Sequence, residues 1–150
     1  VVGVDIDIRV ANRQAIEGHP LASRITLIEG SSTDPGVFDQ VSRCIEPGDK
    51  VLVILDSNHS RDHVLAECRL YAPLVTMGSY LVATDGIMSE LAQVPGGEAS
   101  WVSDNPTEAA RDFAAERDDF AVETPGFQFN DSALDRPITY WPGAYLRRIS

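Results

Sequence analysis

Short, almost unbroken apolar runs alternate along this chain with amphipathic stretches. VVGVDID (residues 1–7), RITLIEGSS (24–32), KVLVIL (50–55) and GSYLVATD (78–85) have the composition of strands buried on both faces. Between them, IRVANRQAIEGHP (8–20), DPGVFDQVSRCI (34–45) and SRDHVLAECRLYAPLV (60–75) read as helices. Asp34 followed by Pro35 supplies an N-cap and a first-turn proline, and EPGD at 46–49 ends that element. In the third helix Val64, Cys68 and Tyr71, or Leu65 and Cys68, can share one face. Repeated strand–helix–strand units predict an α/β fold with a parallel sheet.

The pattern then changes. GIMSELAQVPGGEASWVSDN (86–105) lacks steady periodicity and holds a Pro-Gly-Gly turn, which predicts a long loop with room for one helical turn. Asn105, Pro106 and Glu108 are the N-cap, first-position proline and third-position acid of a helix through TEAARDFAAERDD, and FAVET (120–124) follows as a strand. FQFNDSALDRPITYWPG (127–143) reads as a turn-rich excursion before a last strand, AYLRRIS (144–150). Two strands joined by a long connection predict an antiparallel closing pair at one sheet edge. No repeat, low-complexity tract or interdomain linker interrupts the chain, so a single domain is expected over 1–150.

In a doubly wound sheet the first strand of the wound half is central, and its place here would be between the strands starting near residues 1 and 50. Two central edges without it would be unpaired, which is destabilising and prone to aggregation. The expectation is therefore that a strand, a glycine-rich turn and a helix belong before Val1, either in a longer protein of which 1–150 is the C-terminal majority of one domain or as an opening segment that was lost or left out.

The 150 residues suffice to bury a core without disulfides. The two cysteines, Cys44 and Cys68, fall in helices and read as free thiols of a cytoplasmic protein. A formal charge of −11 with no Lys/Arg stripe argues against nucleic acid and anionic membranes as partners, and no apolar run is long enough to span a bilayer.

Candidate chemistry lies at the carboxyl ends of the strands, where open α/β sheets take their ligands. KVLVIL delivers Asp56 and, 29 residues on, GSYLVATD delivers Asp85. Two such carboxylates suit a hard divalent cation such as Mg²⁺, with Thr84 or Asn58 as a neutral oxygen donor; each is equally a residue type that caps helices. His59, three residues beyond Asp56, is of the residue type that most often serves as a general base, and His63 lies one turn later. No cysteine or third histidine joins that pair at zinc spacing. Asp5 ends the first strand, where an acid accepts ribose hydroxyls or simply closes a turn. Gly30, Ser31 and Ser32 either rim an adenine pocket or lead into a capped helix. His19 reads as a helix-terminal surface residue, and Trp101, Tyr140, Trp141 and Tyr145 as loop aromatics that wall a site or pack on a sheet edge.

GVDIDIR, NRQAIEGHPLASRITLIEGSSTD, VLVILDSNHSRDHVLAECRLYAPLV, GSYLVATDG, NPTEAARDF and GAYLRRI resemble the cephalosporin hydroxylase and rhamnosyl O-methyltransferase family. EGSSTD together with ILDSNH at this spacing is the specific part. The resemblance implies a class I, S-adenosylmethionine-dependent methyltransferase fold: a Rossmann-like sheet with helices on both faces, here lacking its first strand and glycine-rich loop. It places Asp5 at the ribose-binding acid, Gly30, Ser31 and Ser32 beside the adenine, Asp56 at a cofactor-side carboxylate that also holds Mg²⁺, and Asp85 at a second metal position. His59 stands where catechol-type enzymes carry a basic lysine, and Thr84 where family members carry an acidic ligand. The implied activity is Mg-assisted O-methylation of a hydroxyl on a small molecule or sugar, in a homo-oligomer. A helper component of a two-protein hydroxylation system and a non-catalytic adenosyl-binding or scaffolding domain are the alternatives.

Overall fold

A computed structural model of the chain describes residues 1–124, 133 and 138–150, so most of the predicted excursion at 127–143 lies outside the described residues. The chain divides into two compact units, Val1–Asp49 and Lys50–Ser150.

The first unit is a βαβα arrangement. Strand β1 (Val2–Asp5) pairs in parallel with β2 (Thr26–Glu29), from Val2 opposite Thr26 to Asp5 opposite Glu29, and helix α1 (Val10–Glu17) forms the crossover. Helix α2 (Pro35–Arg43) begins as predicted: the Asp34 carboxylate accepts the amides of Gly36 at 2.7 Å and Val37 at 3.1 Å, satisfying donors that a helix start leaves free. Its apolar face buries Val37 and Val41, and Ile28 is the buried residue of β2.

The second unit is built on a four-stranded sheet in the order β3-β4-β6-β5. Strands β3 (Val53–Leu55) and β4 (Tyr80–Ala83) are parallel, connected by helix α3 (Arg61–Tyr71). A single helical turn, α4 (Met88–Leu91), and a 3₁₀ turn (Ala99–Val102) occupy the stretch read as a long loop. Helix α5 (Pro106–Ala115) follows, its first amides capped where Asn105 Oδ1 accepts from the Glu108 N–H at 3.1 Å. Strands β5 (Phe120–Glu123) and β6 (Tyr145–Arg148) form the antiparallel pair, and β6 inserts between β5 and β4, running antiparallel to both. β1 and β3 belong to separate sheets and are not paired with each other.

The core of this unit fills the space between the sheet and α3 with α5. Leu55, Leu81, Ala83 and Leu146 from the strands meet Val64, Cys68 and Tyr71 of α3 and Ala109, Ala110 and Phe113 of α5. Phe113 packs edge-on against Phe120 with ring centroids 5.3 Å apart. Ala109 and Ala110, fully buried, let α5 approach closely. The other sheet face carries Ile54, Tyr80, Val82 and Tyr145, which with Leu52, Glu123 and Trp141 line a groove of about 390 Å³. No described helix is long and apolar enough to cross a membrane.

Two bidentate ion pairs join α3 to α5. Arg61 donates to both oxygens of Asp112 at 2.6 and 2.8 Å, and Arg69 to both oxygens of Glu116 at 2.9 and 2.5 Å. The arginine hydrogen bonds hold both carboxyls below the usual carboxylate range. With the folded value below the unfolded one, each pair adds stability that is complete above the unfolded range near pH 4 and fades as pH falls through the lowered folded value. Replacing Arg61 and Arg69 together by methionine is expected to flatten the loss of stability between about pH 5 and about pH 3, as read from urea unfolding across that range. Phe113→Ala should cost about 3–5 kcal/mol at neutral pH, the usual penalty for emptying an aromatic core position.

Candidate functional site

The parallel register of β3 and β4 decides which side chains meet. Leu55 lies opposite Ala83, so the next residue of each strand, Asp56 and Thr84, come out side by side. The Thr84 amide donates to the Leu55 carbonyl at 3.1 Å, and its hydroxyl donates to Asp56 Oδ1 at 2.6 Å. Asp85 turns the chain off the strand at φ 57°, a left-handed conformation that aspartate tolerates better than most residues. Gly86 comes next because a Cβ there would collide with the Thr107 hydroxyl.

Between β3 and α3, the segment 56–60 returns His59 over the strand ends. His59 Nε2 lies 3.5 Å from Asp56 Oδ1 and 3.6 Å from Asp85 Oδ2, and one donor atom from each of the three residues falls within 4.8 Å of the others. That nitrogen is buried and makes no hydrogen bond among the described residues. Two carboxylates and an orphaned imidazole nitrogen facing one point fit a divalent cation, and they equally fit a base that takes up a proton beside negative charge. Asp56 is exposed, and His59 and Asp85 are half-buried, so the cluster is open to solutes.

The segment is tied at Asp56, Ser57, Asn58 and Ser60. Asn58 Oδ1 accepts the Ser60 amide at 2.9 Å, a turn contact that accounts for Asn58 without a metal. The first amide of α3, on Arg61, is accepted by Asp104 Oδ1 at 2.6 Å in place of a cap from Ser60. Ser57 Oγ donates to Glu67 Oε1 at 2.6 Å. His63 does not join the cluster: its Nε2 faces Glu67 Oε1 at 3.5 Å. Glu67 and Asp104 were not singled out by sequence reasoning, yet Glu67 carries a readable signal. It lies three residues after Val64 and four before Tyr71, on the face predicted to be buried.

In the first unit Asp5 is exposed at the end of β1, and its Oδ1 accepts the Asp7 amide at 3.0 Å, closing a turn with one oxygen. Gly30 follows β2 at φ 151°, where a Cβ would run into Val37 Cγ2, so only glycine permits this close approach to α2. Ser31 Oγ lies 3.0 Å from Thr33 Oγ1, and Ser31 and Ser32 are half-buried. His19 Nδ1 accepts the Leu21 amide at 3.1 Å, the helix-terminal role expected of it. Trp101 sits in the 3₁₀ turn, Tyr140 is exposed, and Trp141 and Tyr145 stack at a tilt with centroids 6.4 Å apart. Cys44 is exposed and Cys68 buried, both as free thiols, with burial pushing the Cys68 thiol up to about 12.

The arrangement of strands and helices is that of a Rossmann-like α/β methyltransferase. The MycE methyltransferase from the mycinamycin biosynthetic pathway, solved in complex with Mg and SAH, superposes with a TM-score of 0.53 at 22% identity over 99% of this chain and 36% of that one. The chain belongs to the Rhamnosyl O-methyltransferase/CmcI family, whose sequence model matches residues 1–149. Among curated relatives, the rhamnosyl O-methyltransferase of Mycobacterium tuberculosis (strain ATCC 25618 / H37Rv) is 43% identical over 74 residues, covering 48% of this chain and 30% of that protein. That of Mycobacterium leprae (strain TN) is 48% identical over 63 residues, covering 41% and 27%. The matched stretch is thus less than a third of either relative's length.

Thr84→Val keeps the shape of the side chain and removes the donor to Asp56. It should lower stability by about 1 kcal/mol, measured by thermal unfolding, because the Leu55 carbonyl, which also faces the hydroxyl at 3.1 Å, retains the Thr84 amide, while the carboxylate loses the shorter bond.

Proposed function

We propose that the protein is an S-adenosylmethionine-dependent O-methyltransferase acting on a hydroxyl of a small molecule or sugar, with Asp56, His59 and Asp85 at its reacting centre. The reading is carried by the convergence of these three side chains at adjoining strand ends in a chain that the family matches over residues 1–149. The two units are taken as parts of one methyltransferase domain, a view supported by the likeness to a single methyltransferase over 99% of the chain. The exposed thiol of Cys44 supports a cytoplasmic setting, and a homo-oligomer is the proposed assembly.

Asp5 is assigned the ribose hydroxyls: with Oδ1 accepting the Asp7 amide, Oδ2 is left to accept from a ligand. Gly30, Ser31 and Ser32 are assigned the border of the adenine, since the missing Cβ and the small polar side chains allow close approach. Asp56 and Asp85 would hold Mg²⁺, with Asp56 also on the cofactor side. Bound S-adenosylmethionine supplies an electrophilic methyl group on a sulfonium, and Mg²⁺ supplies a positive charge that makes an acceptor hydroxyl more acidic.

His59 Nε2 takes the proton of the acceptor hydroxyl. Its buried nitrogen has no hydrogen-bond partner among the described residues, and the carboxylates of Asp56 and Asp85 lie where the imidazole's positive charge appears. Thr84 holds the Asp56 carboxylate in one rotamer through its 2.6 Å hydrogen bond, so that group is oriented before a ligand arrives. Thr84 itself brings no negative charge, which leaves this centre with two carboxylates to bind a cation.

Calorimetric titration of the full-length protein with S-adenosylhomocysteine, with and without Mg²⁺, tests the assignment. Binding is expected, and Asp5→Ala should weaken it about 10- to 100-fold, the worth of hydrogen bonds to a charged group. A folded protein that binds no adenosyl ligand would leave the scaffold reading standing. His59→Ala should lower kcat for methyl transfer by about 10²- to 10⁴-fold. Asp56→Ala should lower it as well and abolish its dependence on Mg²⁺; wild-type turnover in the double variant would defeat the assignment.

A further inference from the structure

Among the described residues of the second unit Glu67 is the one acid that is fully buried, with 1% of its side chain exposed, and the proposed chemistry makes no use of it. Burying a carboxylate costs several kcal/mol unless partners replace its water. Oε1 accepts from Ser57 Oγ at 2.6 Å and faces His63 Nε2 at 3.5 Å, whereas Oε2 has no hydrogen-bond partner among the described residues. Its neighbours feel its charge: it adds to the burial that raises the Cys68 thiol and the Tyr71 hydroxyl. A leucine here would pack the same core without these penalties.

What the carboxylate gains is Ser57. That residue stands between Asp56 and His59, and the remaining ties of the segment run to Thr84, to its own backbone through Asn58, and to Asp104 at the helix start. Among the described residues only the short, charge-assisted Ser57–Glu67 bond fastens the segment to the buried face of α3. We propose that Glu67 is a positioning residue: by holding Ser57 Oγ it fixes the backbone from Asp56 to His59, and so the approach of the imidazole to both carboxylates. Its importance for catalysis rests on the function proposed above; its hold on the backbone does not.

The test is ¹⁵N relaxation of the backbone amides of residues 57–60 in the full-length, metal-free protein. Wild type should show rigid order parameters near about 0.85, and Ser57→Ala and Glu67→Leu should each lower them toward about 0.6 at these amides alone. The double variant should fall no further than either single one, because both remove the same bond. Glu67→Gln, which keeps an acceptor oxygen, should restore most of the order. Under saturating substrates Ser57→Ala should lower kcat about ten- to a hundredfold with little change in melting temperature. Wild-type order in Ser57→Ala would overturn the proposal, as would loosening in Glu67→Leu spread along the whole of α3. Because Ser57 is exposed, its variant decides the matter even where Glu67→Leu does not fold. Loosening of the segment in a protein that fails to bind S-adenosylhomocysteine would reject the methyltransferase reading and retain the positioning role.

Discussion

The parallel pairing of β3 with β4 is the constraint on which the candidate site depends. With Leu55 opposite Ala83, the strands end level, and the first residues beyond them are neighbours by geometry. Had the register slipped by one residue, Asp56 would face a buried alanine and Thr84 would lose its acceptor. The Thr84 hydroxyl bond to Asp56 and the left-handed turn at Asp85 complete what the register begins, bringing two carboxylates and His59 Nε2 to one place.

Support for that register comes from behind the sheet. Fully buried Ala109 and Ala110 let α5 lie close, Phe113 fills the space against Phe120, and α3 presents Val64, Cys68 and Tyr71. Two arginines lock α3 to α5 at the periphery, where an exposed pair adds little by itself but both are bidentate. Since α3 starts directly after the segment that carries His59, any shift of the helix would carry the imidazole with it. Glu67 fastens the segment to the helix through Ser57, and Asp104 holds the helix start through the Arg61 amide.

The strong acidity of the chain takes on a definite form here. Asp112 and Glu116 are neutralised by arginine, Asp34 by helix amides and Asp104 by the Arg61 amide. The carboxylates of Asp56 and Asp85 face a histidine and open space instead. Two carboxylates converging on a histidine at strand ends place negative charge where a cation or a proton can be used.

Much of this was legible in the residues themselves. Each predicted strand and helix is present among the described residues, and the caps at Asp34 and Asn105 form the bonds their spacing implies, because capping is a local event within three residues. Asp56, His59 and Asp85 were identifiable because strand ends are readable and these side chains follow them directly. The insertion of β6 between β4 and β5 was not readable, since its pairing with β4 joins residues more than 60 positions apart. His63 offered the same chemistry as His59 on paper, yet it turned to Glu67, because the helix sends the two imidazoles to different neighbours. Sequence alone settled the local elements, their caps and the residues at the strand ends, through periodicity and short-range hydrogen bonding. Register, strand order and the burial of Glu67 beneath Ser57 came only with tertiary structure, which sets distances between groups that the chain keeps far apart.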